Sequence, residues 1–188
     1  MRSAIVITIL LGFLSAGCVG TGQAIDVADA KRRDNPVVRH GKTAIDSSML
    51  VAINEARSRA RKCGSVYMPA AGPVVWNRKM AGAALGHSMD MASHGEAGHT
   101  GSDGSTADER LTREGYHWGS VGENVAVGYP SADEVVRAWL SSKGHCMNIM
   151  NPGFNEIGSA WAWGIYRGGS SARYWTLVLG AVRGLPGH

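Results

Sequence analysis

The chain has 188 residues, with 19 lysines and arginines against 15 aspartates and glutamates, and a formal net charge of +4. The basic residues are scattered except in an N-terminal segment and on one predicted helix face, so we expect no nucleic-acid partner. The first predicted element is apolar: Arg2 precedes an almost unbroken apolar run at residues 4–14. This run of about 11 residues is too short for a transmembrane helix, which needs roughly 20, and it predicts a signal peptide.

The residues around Cys18 resemble a bacterial lipobox, in which the cysteine is lipidated and becomes the new N-terminus. Small residues occupy positions 15–17, although a lipobox favours leucine three places before the cysteine and Leu14 lies one step further back. We expect residues 1–17 to be removed and Cys18 to anchor the protein to a membrane of the bacterial cell envelope. Ordinary cleavage near Gly17, which would leave a soluble secreted protein, is the alternative.

Residues 18–46 are predicted to be the lipidated N-terminus and a flexible tether. They are rich in glycine and charged residues and show no sustained apolar period, so they cannot bury enough surface to offset the entropy of ordering. Residues 47–188 are long enough for one domain with a hydrophobic core.

The remaining two cysteines, Cys63 and Cys146, are predicted to form a disulfide. An exported chain folds in an oxidising compartment, where disulfides persist. If Cys18 carries the lipid, these two cysteines are left as a pair. Two buried free thiols are the alternative.

Helical periodicity and capping residues predict two helices in the first half of the domain. The first is capped by Asp46 or Ser47 and runs to about Lys62, and the second lies between Asn77 and Gly95.

Further elements follow in the middle of the domain. Residues 106–114 are polar and compatible with a helix, and residues 121–127 alternate weakly, as in a short strand. Ser131 and Glu134 form a capping-box pattern that predicts the start of another helix.

The last third of the chain changes to a period of two, which predicts a β-hairpin. Trp161 and Trp163 share one face of the first strand, while Gly158 and Gly164 share the other. We expect a helix to pack closely on the glycine face and the tryptophans to belong to the core. Residues 174–182 are apolar on both faces, which predicts an α+β fold with a sheet sandwiched by helices.

A series of short motifs runs through the domain in a fixed order. They are Ala84-Leu-Gly-His87-Ser-Met-Asp-Met91, His99-Thr100-Gly101, Arg110 with Gly115-Tyr116, Gly122-Glu123-Asn124-Val125-Ala126 with Gly128, Glu134 with Trp139, Ser142-Lys-Gly-His145-Cys146 and Tyr174-Trp175-Thr176. Together they resemble the bacterial branch of the CAP superfamily, also called SCP/PR-1-like. The resemblance spans residues 50–182 and implies a three-layer α-β-α sandwich.

The resemblance also implies a cleft tetrad formed by His99, Glu123, Glu134 and His145. Neutral imidazoles are common Zn²⁺ ligands, so His99 and His145 are the candidate ligands for a divalent metal, with Zn²⁺ the candidate ion. The two glutamates are candidates for orienting the imidazoles or acting as a general base. Taken singly, each residue also has a structural explanation; Glu134, for example, occupies the N3 position of the capping box.

Other titratable residues nearby are given structural interpretations. His87 lies among apolar residues on a predicted helix face and is assigned to the core. His94, Glu96 and Asp103 lie near His99 in the sequence but lack a recognised metal spacing, so we interpret them as residues of a solvated loop.

Three functions fit these features. The favoured one is a binding module whose cleft takes a small ligand, with sterols and fatty acids suggested by the family. The second is an interaction domain that contacts an envelope protein partner and carries a vestigial tetrad. The third is a metal-dependent hydrolase, although no nucleophile-elbow or HExxH motif supports it.

The expected anchor can be tested by replacing Cys18 with serine. A diacylated cysteine carries two acyl chains, which suffice for stable membrane attachment where one would be marginal. The Cys18→Ser protein should therefore move from the membrane fraction to the soluble fraction. An unmodified Cys18 in the mass spectrum of the native protein would contradict the expectation.

Overall fold

The structure is a computed structural model that describes residues 44–166 and 169–184, with side chains described from Ser48 onward. The predicted signal peptide, Cys18 and almost all of the predicted tether therefore lie outside the described residues. None of the described helices combines the length and the apolar character that crossing a bilayer requires. In chain order the elements are α1 (Ala44–Arg57), β1 (Arg61–Cys63), β2 (Val66–Met68), β3 (Val75–Trp76), α2 (Arg78–His94), α3 (Ala107–Arg113), β4 (Trp118–Val127), α4 (Ala132–Ser141), α5 (Lys143–Met150), β5 (Glu156–Tyr166) and β6 (Ser170–Val182).

A four-stranded sheet in the order β3-β5-β6-β4 forms the middle layer, and β1 and β2 form a separate hairpin. The predicted C-terminal hairpin is confirmed: β5 and β6 pair antiparallel along their length. The predicted short strand at residues 121–127 is part of β4, which pairs antiparallel with β6 from Trp118 to Val127. Because β6 is the one described strand that pairs with β4, β4 forms an outer edge of the sheet.

The two faces of the sheet carry different helices, which confirms the three-layer α-β-α sandwich. On one face, a Cβ added at Gly158 would lie 2.1 Å from the backbone nitrogen of Ala81, and one at Gly164 would lie 2.4 Å from the carbonyl oxygen of Ala92. Only glycine allows α2 to approach this closely. On the other face, a Cβ at Gly122 would lie 3.4 Å from the side chain of Asn148 on α5.

The caps predicted for α2 and α4 are confirmed. Asn77 accepts hydrogen bonds from the first turn of α2, and Gly95 ends that helix with a positive φ of 70°. Ser131 caps α4 by accepting from the Glu134 backbone N–H. The helix-compatible segment at residues 106–114 contains α3, which begins at a capping box formed by Thr106 and Glu109.

The assignment of both tryptophans of β5 to the core is wrong for one of them. Trp161 is buried, but Trp163 is 59% exposed, and Ile165 on the same face is 57% exposed. The Arg173 guanidinium, rather than a helix, stacks on these rings, 4.4 Å from the centre of Trp161 and 5.1 Å from that of Trp163. A cation–π contact of this kind tolerates a half-solvated ring.

The predicted end of the first helix near Lys62 is also wrong, because α1 ends at Arg57 and residues Arg61–Cys63 form β1. Gly64, with a φ of 61°, supplies the tight turn between β1 and β2. The predicted disulfide is confirmed, and it joins Cys63 at the end of β1 to Cys146 in α5. Closing a loop of 83 residues stabilises the fold by up to about 4 kcal/mol in the chain-entropy account.

Arg57 is a buried cation held entirely by backbone carbonyls. The residue is 1% exposed, and its guanidinium donates to Gly72 O (2.7 Å), Ile149 O (2.7 Å), Asn151 O (2.8 Å) and Phe154 O (2.9 Å). Burial lowers the pKa of the guanidinium from its usual value. One side chain thus joins α1 to the loop before β3, to the C-terminal end of α5 and to the segment that leads into β5.

Replacing Arg57 with methionine tests this role. The substitution keeps an apolar stem but leaves buried carbonyls without donors, so the free energy of unfolding should fall by about 3–5 kcal/mol. Arg59→Met, at an exposed position just after α1, is the matched control and should change it by less than about 0.5 kcal/mol. Urea denaturation measures both; a loss in Arg57→Met no larger than that in the control would contradict the assignment.

Candidate functional site

The candidate site lies beyond the edge strand β4, where the two helical layers meet. His99 lies in the loop that follows α2, and His145 lies in α5 on the opposite face of the sheet. Their ring centres are 6.5 Å apart. The fold therefore brings together two histidines that are 46 positions apart in the sequence.

Glu123 on β4 is the carboxylate at the centre of the site. It pairs across the strands with Val178, and it is only 8% exposed. One oxygen accepts from the Nδ1–H of His99 at 3.0 Å, and the other accepts from Arg110 Nη2 at 2.7 Å. These two bonds satisfy a buried carboxylate that would otherwise be costly.

Arg110 on α3 bonds backbone groups of the His99 loop as well as Glu123. Its guanidinium also donates to Ser105 O at 2.7 Å and to His99 O at 3.2 Å, and the residue is 8% exposed. The planar guanidinium carries several donors in a fixed geometry, so it fixes several groups at once. The loop that carries His99 is therefore fastened to α3.

Two asparagines attach α5, and with it His145, to β4. Asn124, which is fully buried, donates to the carbonyl oxygen of His145 at 3.1 Å. Asn148 donates to Asn124 Oδ1 at 2.9 Å and to Glu123 O at 3.1 Å. The position of His145 relative to Glu123 thus follows from hydrogen bonds rather than from loose packing.

Glu134 makes its contacts elsewhere. Its carboxylate accepts from the Ser131 hydroxyl at 3.1 Å, within the cap of α4. Among the described residues, no hydrogen bond or ion pair joins it to His99, Glu123 or His145. The structure therefore brings together three members of the predicted tetrad, and a shared role for Glu134 stays a prediction.

The other titratable residues near His99 in the sequence also make their contacts outside the site. Asp103 pairs with Arg113 at 2.6 Å, and His94 lies 3.3 Å from Asp90. Within residues 44–166 and 169–184, no group of three or more histidine, cysteine, aspartate or glutamate side chains is arranged to hold a metal ion.

The two cleft histidines have opposite pKa shifts. The hydrogen bond to Glu123 raises the pKa of His99 above its usual value, with burial opposing this effect. Burial lowers the pKa of His145, and the nearby His99 lowers it further. Near neutral pH, His145 is therefore the more readily available nitrogen base.

A divalent metal held by His99 and His145 would need the two rings closer together than they lie in the structure. Because Nδ1 of His99 is bonded to Glu123, its Nε2 is the atom left for a ligand, and a carboxylate-bound histidine is a common metal ligand. Two imidazoles that share a tetrahedral Zn²⁺ have ring centres about 5 Å apart. The rings would have to approach by roughly 1.5 Å, which the 60% exposed His99 side chain allows.

The sequence interpretation missed the groups that position the site. Arg110, Asn124 and Asn148 were not assigned roles there, and His87 was assigned only to the core. His87 is buried as expected, but its Nε2–H also donates to Gly98 O at 2.8 Å. The motifs around Arg110 and Asn124 were visible in the sequence, but their partners lie far away in sequence and only the fold reveals them.

The opposite pKa shifts can be measured by NMR titration of the two imidazoles. His99 should titrate above the ordinary histidine range and His145 below it, and Glu123→Gln should lower the pKa of His99. Because the folded state holds the His99 proton more tightly, the pair stabilises the fold below about pH 6.5 and loses this contribution as pH rises through the raised pKa. A His99 pKa unchanged by Glu123→Gln would contradict the assigned hydrogen bond.

Comparison with known proteins identifies the family. A profile of the family described as "CAP: Cysteine-rich secretory protein family" matches residues 50–179. The uncharacterized protein YkwD of Bacillus subtilis (strain 168) is 31% identical over 86 residues, which are 46% of this chain and 34% of that protein. The chain thus spans about a third of the length of that relative.

Solved structures show the same fold. An extracellular protein containing an SCP domain from Bacillus anthracis str. Ames is 26% identical with a TM-score of 0.50, covering 58% of this chain and 34% of that one. An outer surface protein from Borrelia burgdorferi is 16% identical with a TM-score of 0.57, covering 75% of this chain and 97% of that one. With a family match over more than half of its length, this chain belongs to the CAP, or cysteine-rich secretory protein, family.

Proposed function

We propose that this protein is exported to the bacterial cell envelope, is anchored there through Cys18, and binds a divalent transition metal between His99 and His145. The observation that carries the proposal is the bond from His99 Nδ1–H to the buried Glu123, which leaves Nε2 for a ligand on a ring whose centre lies 6.5 Å from that of His145. A metal bound there would supply Lewis acidity and open coordination positions for a further small ligand.

The surroundings of the pair favour a metal over a lipid at this position. The His99 side chain is 60% exposed, and it bonds the charged Glu123, which in turn pairs with Arg110. A sterol or acyl chain gains little from such a polar, solvent-facing site.

Binding is also better supported than hydrolysis. A general base must be free to take a proton from water. Glu123 already accepts from both His99 and Arg110, and Glu134 is engaged in the cap of α4. The hydrolase alternative therefore has the weaker support, and an envelope protein partner stays a prediction.

Calorimetric titration of Zn²⁺ into metal-stripped protein tests the proposed function. Two imidazoles should bind Zn²⁺ more weakly than a closed four-ligand site does, and binding should be weaker at pH 5.5 than at pH 7.5 because protons compete for the same nitrogens. His99→Ala and His145→Ala should each abolish binding, while His94→Ala, an exposed histidine outside the pair, should leave it unchanged. Binding that survives the His99→Ala, His145→Ala double substitution would place the ion elsewhere.

A second candidate function, lipid binding, is supported by a separate groove between α1 and α4. The groove has a volume of about 330 Å³. Three arginines lie along it with two acidic residues and a few apolar side chains, and the arginines are the groups that would pair with the carboxylate of a fatty acid. The lining residues are Ala52, Glu55, Ala56, Arg59, Arg61, Asp133, Val136, Arg137 and Leu140.

Displacement of a fluorescent fatty acid tests this second function. Arg137→Glu reverses a charge at the groove and should weaken binding at least about 10-fold, whereas Arg78→Glu on an exposed part of α2 should not. Equal affinity in the two variants, or no binding by the unmodified protein, would remove lipid binding at this groove.

A further inference from the structure

The main chain around His99 is held on both sides by buried side chains. The carbonyl of Gly98 accepts from His87 Nε2–H at 2.8 Å, and the carbonyl of His99 accepts from Arg110 at 3.2 Å. His87 and Arg110 come from different helices, α2 and α3. The segment that carries His99 is thus fixed before and after the residue.

Arg110 also fixes the partner of the His99 ring. The Glu123 oxygen that does not contact His99 accepts from Arg110 at 2.7 Å. One guanidinium therefore sets the position of the His99 backbone and the orientation of the carboxylate that receives His99 Nδ1–H. Rotation of that carboxylate would break both contacts together.

Burying His87 costs more free energy than burying an apolar side chain at the same position would. Its side chain is fully buried, and its Nδ1 has no hydrogen-bond partner among the described residues. A buried polar atom without a partner costs free energy that an apolar side chain would avoid. What the histidine provides in return is its donation to Gly98 O.

We propose that Arg110 and His87 are positioning residues that hold His99 in its Nδ1–H tautomer, with Nε2 facing outward at the cleft. Neutral imidazole can carry its proton on either nitrogen, and the partner of one nitrogen decides which form is present. Glu123 selects the Nδ1–H form only while its carboxylate and the His99 backbone keep their relative position. The consequence for metal binding rests on the proposed function, but the tautomer does not.

Long-range ¹H–¹⁵N NMR spectra of the metal-stripped protein at pH 8 report the His99 tautomer directly. The sample is the chain without residues 1–17 and with Cys18→Ser, and the His99 signals are assigned with His99→Gln. The unmodified site should show mainly Nδ1–H. Arg110→Met should shift His99 to mainly Nε2–H and weaken Zn²⁺ binding about 10- to 100-fold, the usual effect of losing a group that orients a ligand.

Four further variants make the comparison specific. Arg113→Gln removes the exposed arginine of the same helix, which pairs with Asp103, and should leave the tautomer unchanged. Arg110→Lys keeps one charged donor and should retain much of the Nδ1–H form. His87→Gln keeps a donor for Gly98 O and should retain more Nδ1–H than His87→Phe.

The outcomes separate the positioning role from the metal proposal. If Arg110→Met and His87→Phe fold and keep His99 mainly in the Nδ1–H form, the positioning role is overturned. If Arg110→Met does not fold, Arg110→Gln takes its place, and mainly Nδ1–H in that variant overturns the role in the same way. If the tautomer shifts as expected but the unmodified protein binds no Zn²⁺, the positioning role stands and the proposed metal site fails.

Discussion

The burial of one guanidinium without a carboxylate partner is the constraint on which the packing of α1 against α5 depends. A buried cation must be compensated, and Arg57 is compensated by four carbonyl dipoles from three separate segments. Two of these carbonyls lie at the C-terminal end of α5, where the helix dipole favours positive charge. Arg57 thus also fixes the position of α5, the helix that carries His145.

The cleft depends on where the sheet ends. Glu123 lies on β4, an outer strand, so side chains from both helical layers can meet beyond it without crossing the sheet. On one side, α3 supplies Arg110, and on the other, α5 supplies His145 and Asn148. An interior strand would have kept these groups apart. The polar network is therefore connected through a single strand edge.

Local chemistry accounts for the parts of the structure that the sequence predicts well. The caps at Asn77 and Ser131 and the glycine face of β5 depend on neighbouring residues alone, and each is found as predicted. The residues at and after the end of α1 bond to distant parts of the chain: Arg57 bonds remote carbonyls, and Cys63 forms the disulfide. Helical periodicity contains neither partner, so it places the end of α1 too late. Trp163 is stacked by a cross-strand arginine and stays largely exposed, and a single-strand pattern contains no sign of that partner.

The disulfide makes the rigidity of the cleft depend on the redox conditions around the protein. Cys146 is adjacent to His145, and its bond to Cys63 ties the first residues of α5 to the β1–β2 hairpin. A cystine of this kind persists only under oxidising conditions. Under reducing conditions the chain would lack this covalent brace, and α5 would be held by Arg57, the asparagines and the core packing of Ile149 and Met150. If the proposed function holds, affinity for a metal at the histidine pair would therefore be lower in a reducing compartment than in an oxidising one.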